Sequence, residues 1–300
     1  MSTETVDGRF VDIDRWSTEQ AVEAMLEGQL AAVAAIKSQV GAIARAAEAA
    51  SARLGRGGRL VYAGAGTSGR IAVQDGVELS PTYNWPGDRL VFLMAGGPTA
   101  LTESAEGAED DVEAGCGDVD RAQVGEADVL IGVAASGRTP YTLAAIAQAR
   151  AAGALTIGVA NNPGAPLLEA AEHAILTDTG SEIVAGSTRM KAGTAQKAVL
   201  NMLSTATMIR CGLVHQGLMV NMRVSNDKLL HRARRMVADI AGVDDARAER
   251  ALREADHEIK RGVLIALGAD RVRADRLLDT THANLRDAID RLRDGAGSDA

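Results

Sequence analysis

The chain has 300 residues, of which 46% are hydrophobic and 24% are charged, so it can bury a full core. These figures favour one large domain, or one domain with a small appendage. The formal net charge of −8 argues against nucleic acid as a main partner, because nucleic-acid-binding proteins present a basic surface. An anionic ligand would therefore need a local binding site.

The N-terminus is polar and acidic, without the basic and apolar segments of a signal peptide. No apolar run approaches the roughly 20 residues that span a bilayer, so we expect a cytoplasmic protein with no membrane partner. Cys116 and Cys211 lie far apart, and neither has a Cys or His at metal-ligand spacing. The pattern therefore indicates neither a disulfide framework nor a zinc site.

The predicted elements begin with helices. The stretch Ser17–Gln20 reads STEQ, which is a capping box, and helical periodicity follows to about Leu54. Short apolar runs then alternate with alanine-rich helical stretches, and these runs start at Arg59, Arg89, Asp128, Leu155 and His173. Such runs predict a parallel sheet covered by helices on both faces, with ligands beyond the carboxyl ends of the strands.

The C-terminal part differs in character. One more long helix is predicted within residues 186–212, and charged amphipathic helices with caps such as Asp244 follow from about His231. We expect three regions: an N-terminal helical segment over residues 1–57 that packs on the core, a sheet domain over 58–230, and a small helical region over 231–300.

The first strand runs into Gly64-x-Gly66-x-x-Gly69, the spacing of dinucleotide-binding loops. An NAD site also needs an acidic residue at the end of the second strand, and residues 94–97 read MAGG. The loop instead offers Thr67 and Ser68 before a helix, which suits a terminal phosphate. A glycine turn with a Ser or Thr helix cap is the alternative.

Two further loops follow the same pattern. The loop AASGRTP offers Ser136, Gly137 and Thr139, and AGSTRMKAGT offers Ser187, Thr188, Lys191 and Thr194. Three hydroxyl-rich glycine loops at one edge of a sheet are hard to explain as turns alone. No loop matches the nucleotide triphosphate motif G-x-x-x-x-G-K-[ST], so the pattern favours a small phosphorylated metabolite.

At these loops the sequence resembles the sugar isomerase (SIS) domain family, and within it the N-acetylmuramic acid 6-phosphate etherases. The similar strings are GAGTSGR from Gly64, GVAASGRTPY from Gly132, GSTRMKAGTAQK from Gly186 and VSNDKL from Val224. The resemblance runs from about Ile13 to the end of the chain. It implies a three-layer α/β fold, with N-terminal helices, an SIS phosphosugar-binding domain and a small all-α, ubiquitin-associated-like C-terminal region.

The resemblance also implies an activity. The family cleaves the D-lactyl ether of N-acetylmuramic acid 6-phosphate to give N-acetylglucosamine 6-phosphate and D-lactate, a step in the recycling of cell-wall peptidoglycan. It uses no metal and no redox cofactor, and it is typically a homodimer. We therefore expect a phosphosugar substrate, a second copy of the chain as partner, and no cofactor.

Ring opening of such a sugar exposes an aldehyde and makes the C2 proton acidic, so lactate can leave C3 by β-elimination and water can add back. One group must remove and return the C2 proton, and another must protonate the departing oxygen. Glu78, between Val77 and Leu79, would have its pKa raised if it were buried. A surface glutamate on a helix is the alternative.

The second carboxylate lies in TESAEGAEDD. Glu103, Glu106 and Glu109 would share one stripe of a helix, which is also typical of a solvated acidic face, and the spacing does not select one of them. By the resemblance, Glu78 matches the family's proton donor and Glu109 its second catalytic glutamate. The family commonly reads SECPPT where this chain reads VELSPT, so the packing around Glu78 is expected to differ.

The candidate phosphosugar-binding residues of the three loops are Gly66, Thr67, Ser68, Ser136, Gly137, Arg138, Thr139, Ser187, Thr188 and Lys191. Arg138 and Lys191 could each lie over a phosphate monoester, or could each be a solvated charge at the start of a helix. The five histidines show no metal spacing. A phosphosugar isomerase and a non-catalytic phosphosugar sensor remain alternative functions, and release of D-lactate distinguishes them from an etherase.

Overall fold

A computed structural model describes residues 2–55 and 57–296. The chain divides into two compact units, one of residues 1–77 and 87–207 and the other of residues 78–86 and 208–300. The first is the sheet unit and the second is the helical unit.

The sheet unit is built on five parallel strands in the spatial order β2-β1-β3-β4-β5. They are β1 (Leu60–Gly64), β2 (Leu90–Met94), β3 (Val129–Val133), β4 (Leu155–Ala160) and β5 (His173–Leu176). In register, Leu60 pairs with Leu90 on one side and with Val129 on the other. All five predicted strands are thus confirmed, and so is their parallel arrangement.

Burial follows the position of each strand in the sheet. Every residue of β1, β3 and β4 is buried, whereas β2 and β5 at the edges are partly exposed. A strand covered on both faces needs apolar residues at successive positions rather than at alternate ones. This explains why the central strands appear in the sequence as continuous apolar runs.

Helices form where the sequence shows apolar periodicity and capping residues. In chain order they are α1 (Thr18–Ala35), α2 (Val40–Leu54), α3 (Gly66–Val77), α4 (Leu79–Tyr83), α5 (Val112–Arg121), α6 (Pro140–Ala151), α7 (Pro166–Ala170), α8 (Lys191–Arg210), α9 (Asp227–Ala241), α10 (Asp245–Glu254), α11 (Ile259–Ala266), α12 (Arg271–Thr280) and α13 (Leu285–Ala296). Single-turn 3-10 helices include Ser2–Glu4, Ile36–Gln39 and Ala108–Asp110. The capping box at Ser17 and Gln20 is present, and Asp244 caps α10.

The helical unit has its own apolar core. One cluster of buried residues contains Val220 and Met222, which precede α9, together with Met236, Val263 and other residues of α9 to α13. Because residues 220 and 222 join this cluster, the division between the units falls at residues 207 and 208 rather than at the predicted boundary of 230 and 231. Residues 78–86 also belong to the helical unit.

The helical stretch Thr18–Leu54 is long and apolar enough, by length and composition alone, to cross a membrane. Charged residues interrupt this stretch, so it is not the unbroken apolar run that the expectation concerned. One such helix near the N-terminus is weak evidence for a membrane span, because core helices of globular proteins share these properties.

Candidate functional site

The loops that carry the candidate residues lie at one edge of the sheet. The strands are parallel, so the loops after β1, β2, β3, β4 and β5 all leave the carboxyl edge. The first loop turns sharply into α3, whose first turn contains Thr67 and Ser68. The N–H groups of a first helical turn have no partners within the helix, so they are available to an anion.

Two glycines make this turn possible. A Cβ atom on Gly69 would lie 2.4 Å from Met94 Sδ and 2.8 Å from the Gly64 carbonyl carbon and oxygen. A Cβ atom on Gly64 would lie 2.9 Å from the backbone of Gly69. The glycine spacing therefore provides a close approach between β1 and α3, whatever ligand the loop binds.

A cavity of about 440 Å³ opens beside the first loop. Thr67 and Arg70 of α3 line one side of it, and Glu106 and Glu109 line the other. Glu103, the third candidate carboxylate, is not among its lining residues. The structure thus brings Glu106 and Glu109 together with the first predicted phosphate loop and leaves Glu103 out, which the spacing of the glutamates did not decide.

We expected a helix that places Glu103, Glu106 and Glu109 on one face, but the structure has no such helix in this segment. Residues 102–107 are irregular, Gly107 has φ +71°, and only Ala108–Asp110 form a 3-10 turn. That expectation is wrong because this segment is held from outside. Arg70 donates hydrogen bonds to the carbonyl oxygens of Ala100 (2.9 Å) and Glu103 (2.8 Å).

Arg70 was missed as a site residue, although it ends the string GAGTSGR. Its guanidinium group lines the cavity while it ties the acidic segment to α3. An arginine that follows a glycine loop at the start of a helix is the signal that could have identified it.

The second loop, after β3, presents its hydroxyl groups largely free of helix capping. Thr139 is the N-cap residue of α6, yet its side chain makes no capping hydrogen bond. The Ser136 hydroxyl accepts a hydrogen bond from the Arg138 backbone N–H (3.1 Å). Gly137 has φ +61°, and a Cβ atom there would lie 2.4 Å from the Ala165 Cβ. The Arg138 side chain is exposed, as a phosphate ligand or a solvated charge would be.

The third loop, after β5, departs from the prediction. Glu182 is 1% exposed, and its carboxylate accepts hydrogen bonds from the backbone N–H groups of Lys191 and Ala192, each at 2.9 Å. The start of α8 is thus already bound by a carboxylate of the chain. The Lys191 ammonium group donates to the Ser181 carbonyl oxygen (2.8 Å).

Ser187 and Thr188 precede α8 and are half-buried. Because Glu182 occupies the N-terminus of α8, a ligand at this loop would meet these hydroxyl groups rather than the helix end. Glu182 was missed because it lies nine residues before the helix that it caps.

Glu78 is exposed, so of the two interpretations left open by the sequence, the surface glutamate is the one that the structure has. It lies between α3 and α4 and belongs to the helical unit, whereas Glu109 belongs to the sheet unit. Its two apolar neighbours differ in burial, since Leu79 is buried whereas Val77 is 47% exposed.

Asp75 is a buried carboxyl group three residues before Glu78. It is 5% exposed, and it accepts hydrogen bonds from Asn201 Nδ2 (2.6 Å), Ser204 Oγ (3.1 Å) and the Tyr62 hydroxyl (2.9 Å). Burial raises the pKa of Asp75, and the three hydrogen bonds oppose that rise. These contacts fasten the end of α3 to β1 and α8.

Two further features concern the binding of metals and other ligands. Among residues 2–55 and 57–296, no group of three or more His, Cys, Asp or Glu side chains is placed to hold a metal ion. A second cavity, of about 700 Å³, lies within the helical unit beside Lys260 and Arg261. It contains none of the candidate residues of the three loops.

Family models match most of the chain. The Glucokinase regulatory protein N-terminal SIS domain matches residues 42–150, and the SIS domain matches residues 111–206. The C-terminal lid domain of glucokinase regulatory protein matches residues 216–263.

Curated relatives match over nearly the full length. The chain is 48% identical over 288 residues to the N-acetylmuramic acid 6-phosphate etherase of Deinococcus radiodurans, covering 96% of this chain and 94% of that protein. It is 46% identical to the enzyme of that name from Streptomyces avermitilis, covering 96% and 93%. For the Salmonella agona enzyme the identity is 43%, covering 96% and 97%.

Solved structures share the fold. A proposed phosphosugar isomerase involved in capsule formation from Bacteroides fragilis superposes with a TM-score of 0.53 at 23% identity, covering 67% of this chain and 95% of that one. A ligand-bound protein from Escherichia coli CFT073 gives a TM-score of 0.51 at 19% identity, covering 66% and 94%. At these identities the likeness concerns the fold alone.

Proposed function

The chain belongs to the N-acetylmuramic acid 6-phosphate etherase family, and from this premise we propose which of its residues carry out the reaction. The enzyme is a carbon–oxygen lyase that cleaves the D-lactyl ether of N-acetylmuramic acid 6-phosphate to give N-acetylglucosamine 6-phosphate and D-lactate. The observation that carries this conclusion is 48% identity over 96% of the chain to an etherase.

The reaction proceeds from the open-chain aldehyde. A base removes the C2 proton, the electron pair forms a C2–C3 double bond, and the C3–O bond to lactate breaks as an acid protonates the departing oxygen. Water then adds its oxygen to C3, and the proton returns to C2. Each proton transfer needs a group with a pKa near the working pH, and one carboxylate at each position is sufficient.

Glu78 is the proton donor to the lactyl oxygen in this proposal, and Glu109 is the base at C2. Glu109 is supported by its place in the cavity that Thr67 also lines. Glu78 is exposed in the single chain. Its carboxyl group is therefore accessible to a substrate that binds from outside the chain.

The phosphosugar-binding set comprises Gly66, Thr67, Ser68, Ser136, Gly137, Arg138, Thr139, Ser187, Thr188 and Lys191. The free first turn of α3 and the uncapped Thr139 support it most directly. Lys191 acts on the sugar phosphate only if its ammonium group leaves the Ser181 carbonyl oxygen, so it contributes least.

We also propose that the enzyme is a homodimer that contacts its partner through α1. Val22, Leu26, Leu30 and Val33 are 50–63% exposed and lie on one face of this helix. An unpaired row of large apolar side chains is typical of a protein interface. We also propose a cytoplasmic location, in keeping with the sugar-phosphate metabolism for which its relatives are named.

Light scattering after gel filtration tests the dimer. Leu26→Glu with Leu30→Glu should give a monomer, whereas Ala31→Glu, which places the same charge on an exposed position off this row, should leave the dimer intact. A wild-type monomer, or a wild type that binds neutral lipid vesicles through this face, would contradict the proposal.

The first test of the activity is D-lactate release from N-acetylmuramic acid 6-phosphate by the wild type, Glu78→Ala and Glu109→Ala. The wild type should release lactate, and both variants should lose activity while keeping the wild-type circular dichroism spectrum. A wild type that binds the sugar phosphate and releases no lactate would support a sensor instead. Conversion of a phosphorylated aldose to a ketose without lactate would support an isomerase.

A further inference from the structure

Residues 2–7 form a segment, the strap, that contacts the loops after β4 and β5 at the carboxyl edge of the sheet. It begins with the 3-10 turn Ser2–Glu4. The Ser2 hydroxyl donates to Asn162 Oδ1 (3.0 Å) in the loop after β4, and the Ser181 hydroxyl, after β5, donates to Asp7 Oδ2 (3.3 Å). The strap thus lies in the sheet unit, among the loops of the candidate site.

Thr3 is the centre of these contacts. It is 0% exposed, its hydroxyl accepts a hydrogen bond from Asn162 Nδ2 (3.0 Å), and its carbonyl oxygen accepts one from the Gly186 N–H (3.0 Å). The Asn162 amide also donates to the Ala135 carbonyl oxygen (2.9 Å). Thr3 therefore joins the loops after β4 and β5, and its partner Asn162 extends the connection to the loop after β3.

Two of these hydrogen bonds end at a residue that directly precedes a candidate binding residue. Ala135 precedes Ser136, and Gly186 precedes Ser187. Gly186 has φ +76°, and the Glu4 carboxylate lies against it, 2.9 Å from where a Cβ atom would stand. The turn that presents Ser187 is therefore held by the strap from two adjacent residues.

We propose that Thr3 is a positioning residue for substrate binding, which holds the second and third hydroxyl-rich loops at the spacing that a sugar phosphate requires. This inference rests on the proposed function, because it assumes that these loops bind the phosphosugar. Buried polar groups are retained where they are hydrogen-bonded, and a hydroxyl and a carbonyl that are both bonded fix the strap in place. Ligand sites depend on such outer contacts for their geometry.

Three variants test the proposal. Thr3→Val keeps the shape of the side chain but removes its hydroxyl group, Thr3→Ser keeps the hydroxyl group, and Thr18→Val makes the first change at an exposed threonine outside the strap. The measurements are KM and kcat for lactate release, the Kd of N-acetylglucosamine 6-phosphate by calorimetry, and the thermal midpoint. Thr3→Val should raise KM and Kd about tenfold, the scale of one lost hydrogen bond, and should change kcat less than about twofold.

Thr3→Ser should bind within about twofold of the wild type, as should Thr18→Val. A Thr3→Val protein with a lowered thermal midpoint and unchanged KM and Kd would overturn the proposal, since Thr3 would then only stabilise the fold. Equal losses in Thr3→Val and Thr3→Ser would also overturn it. If the wild type releases no lactate, the proposed function fails. The Kd values of N-acetylglucosamine 6-phosphate for the wild type and the variants still decide the role of Thr3.

Discussion

The two units bury polar side chains in different ways. In the sheet unit, Asp75 is surrounded by three hydrogen-bond donors from β1 and α8. In the helical unit, Lys260 is 5% exposed, and its ammonium group donates to the Ala283 carbonyl oxygen (2.8 Å). A buried carboxylate with three donors thus fastens α3 to β1 and α8 in the sheet unit, whereas the buried cation of the helical unit donates to a backbone carbonyl oxygen and has a pKa lowered by burial.

The largest expected effect is a loss of activity without a loss of stability, and it concerns the sheet unit. Glu109→Gln should reduce kcat for lactate release by about 10²- to 10⁴-fold, because it removes the carboxylate that we propose as the base at C2. Unfolding by urea should be unchanged, since Glu109 is exposed. Glu103→Gln, in the same segment but outside the cavity lining, is the matched control. Equal losses in both variants would contradict the assignment of Glu109.

The next effect belongs to the helical unit. Burial lowers the pKa of Lys260 from 10.5 to about 8. A depressed folded pKa means that the stability contribution is present above pH 10.5 and is lost as the pH falls through 8. The wild-type free energy of unfolding, relative to Lys260→Met, should therefore rise by about 3 kcal/mol between pH 8 and pH 10.5.

Urea denaturation of both proteins at the two pH values measures this difference. Lys228→Met removes an exposed lysine of α9 and serves as the control, for which no such rise is expected. A pH-independent difference for Lys260→Met would show that its ammonium group is not desolvated in the folded chain.

A substitution in the first loop connects stability with activity. Gly69→Ala should lower the free energy of unfolding by about 1–3 kcal/mol, because its Cβ atom would meet Met94 Sδ and the Gly64 backbone. It should also weaken substrate binding, since α3 would move away from β1. Gly125→Ala, where a Cβ atom meets nothing within 4 Å, should leave both unchanged. A stable, active Gly69→Ala protein would show that the close approach is dispensable.

The smallest effect concerns Asp75. Burial raises the pKa of its carboxyl group above 3.8, so its contribution to stability is full below pH 3.8 and is lost as the pH rises through the folded pKa. Asp75→Asn removes that dependence. Relative to the wild type, it should therefore gain stability between pH 4 and pH 7. Calorimetric melting at both pH values measures the change, and a relative loss at pH 7 would contradict it.

Much of the fold follows from local patterns. The five apolar runs were recognisable as strands because a strand buried on both faces has no polar positions. The start of α1 was recognisable because a capping box satisfies backbone groups within four residues. The glycine spacing of the first loop also identified a real close approach between Gly64 and Gly69.

The site was harder to predict, because its burial and hydrogen bonding depend on distant segments. The apolar neighbours of Glu78 left both a buried and a surface side chain open, and only the structure shows that it is exposed. Even spacing indicated a helical acidic stripe, yet Arg70 holds that segment in an irregular conformation. The start of α8 looked like an anion site, yet Glu182 already occupies it.

By itself the sequence determined the strands, the helix starts, the glycine turn and the family, because each depends on residues that are close together in the chain. Only the tertiary structure decided that Glu109 shares a cavity with Thr67, and that Thr3 is bonded to Asn162. These partners lie far apart in sequence, and no local pattern carries their pairing. Folding brings them together because parallel strands deliver all their carboxyl-end loops to one edge of the sheet.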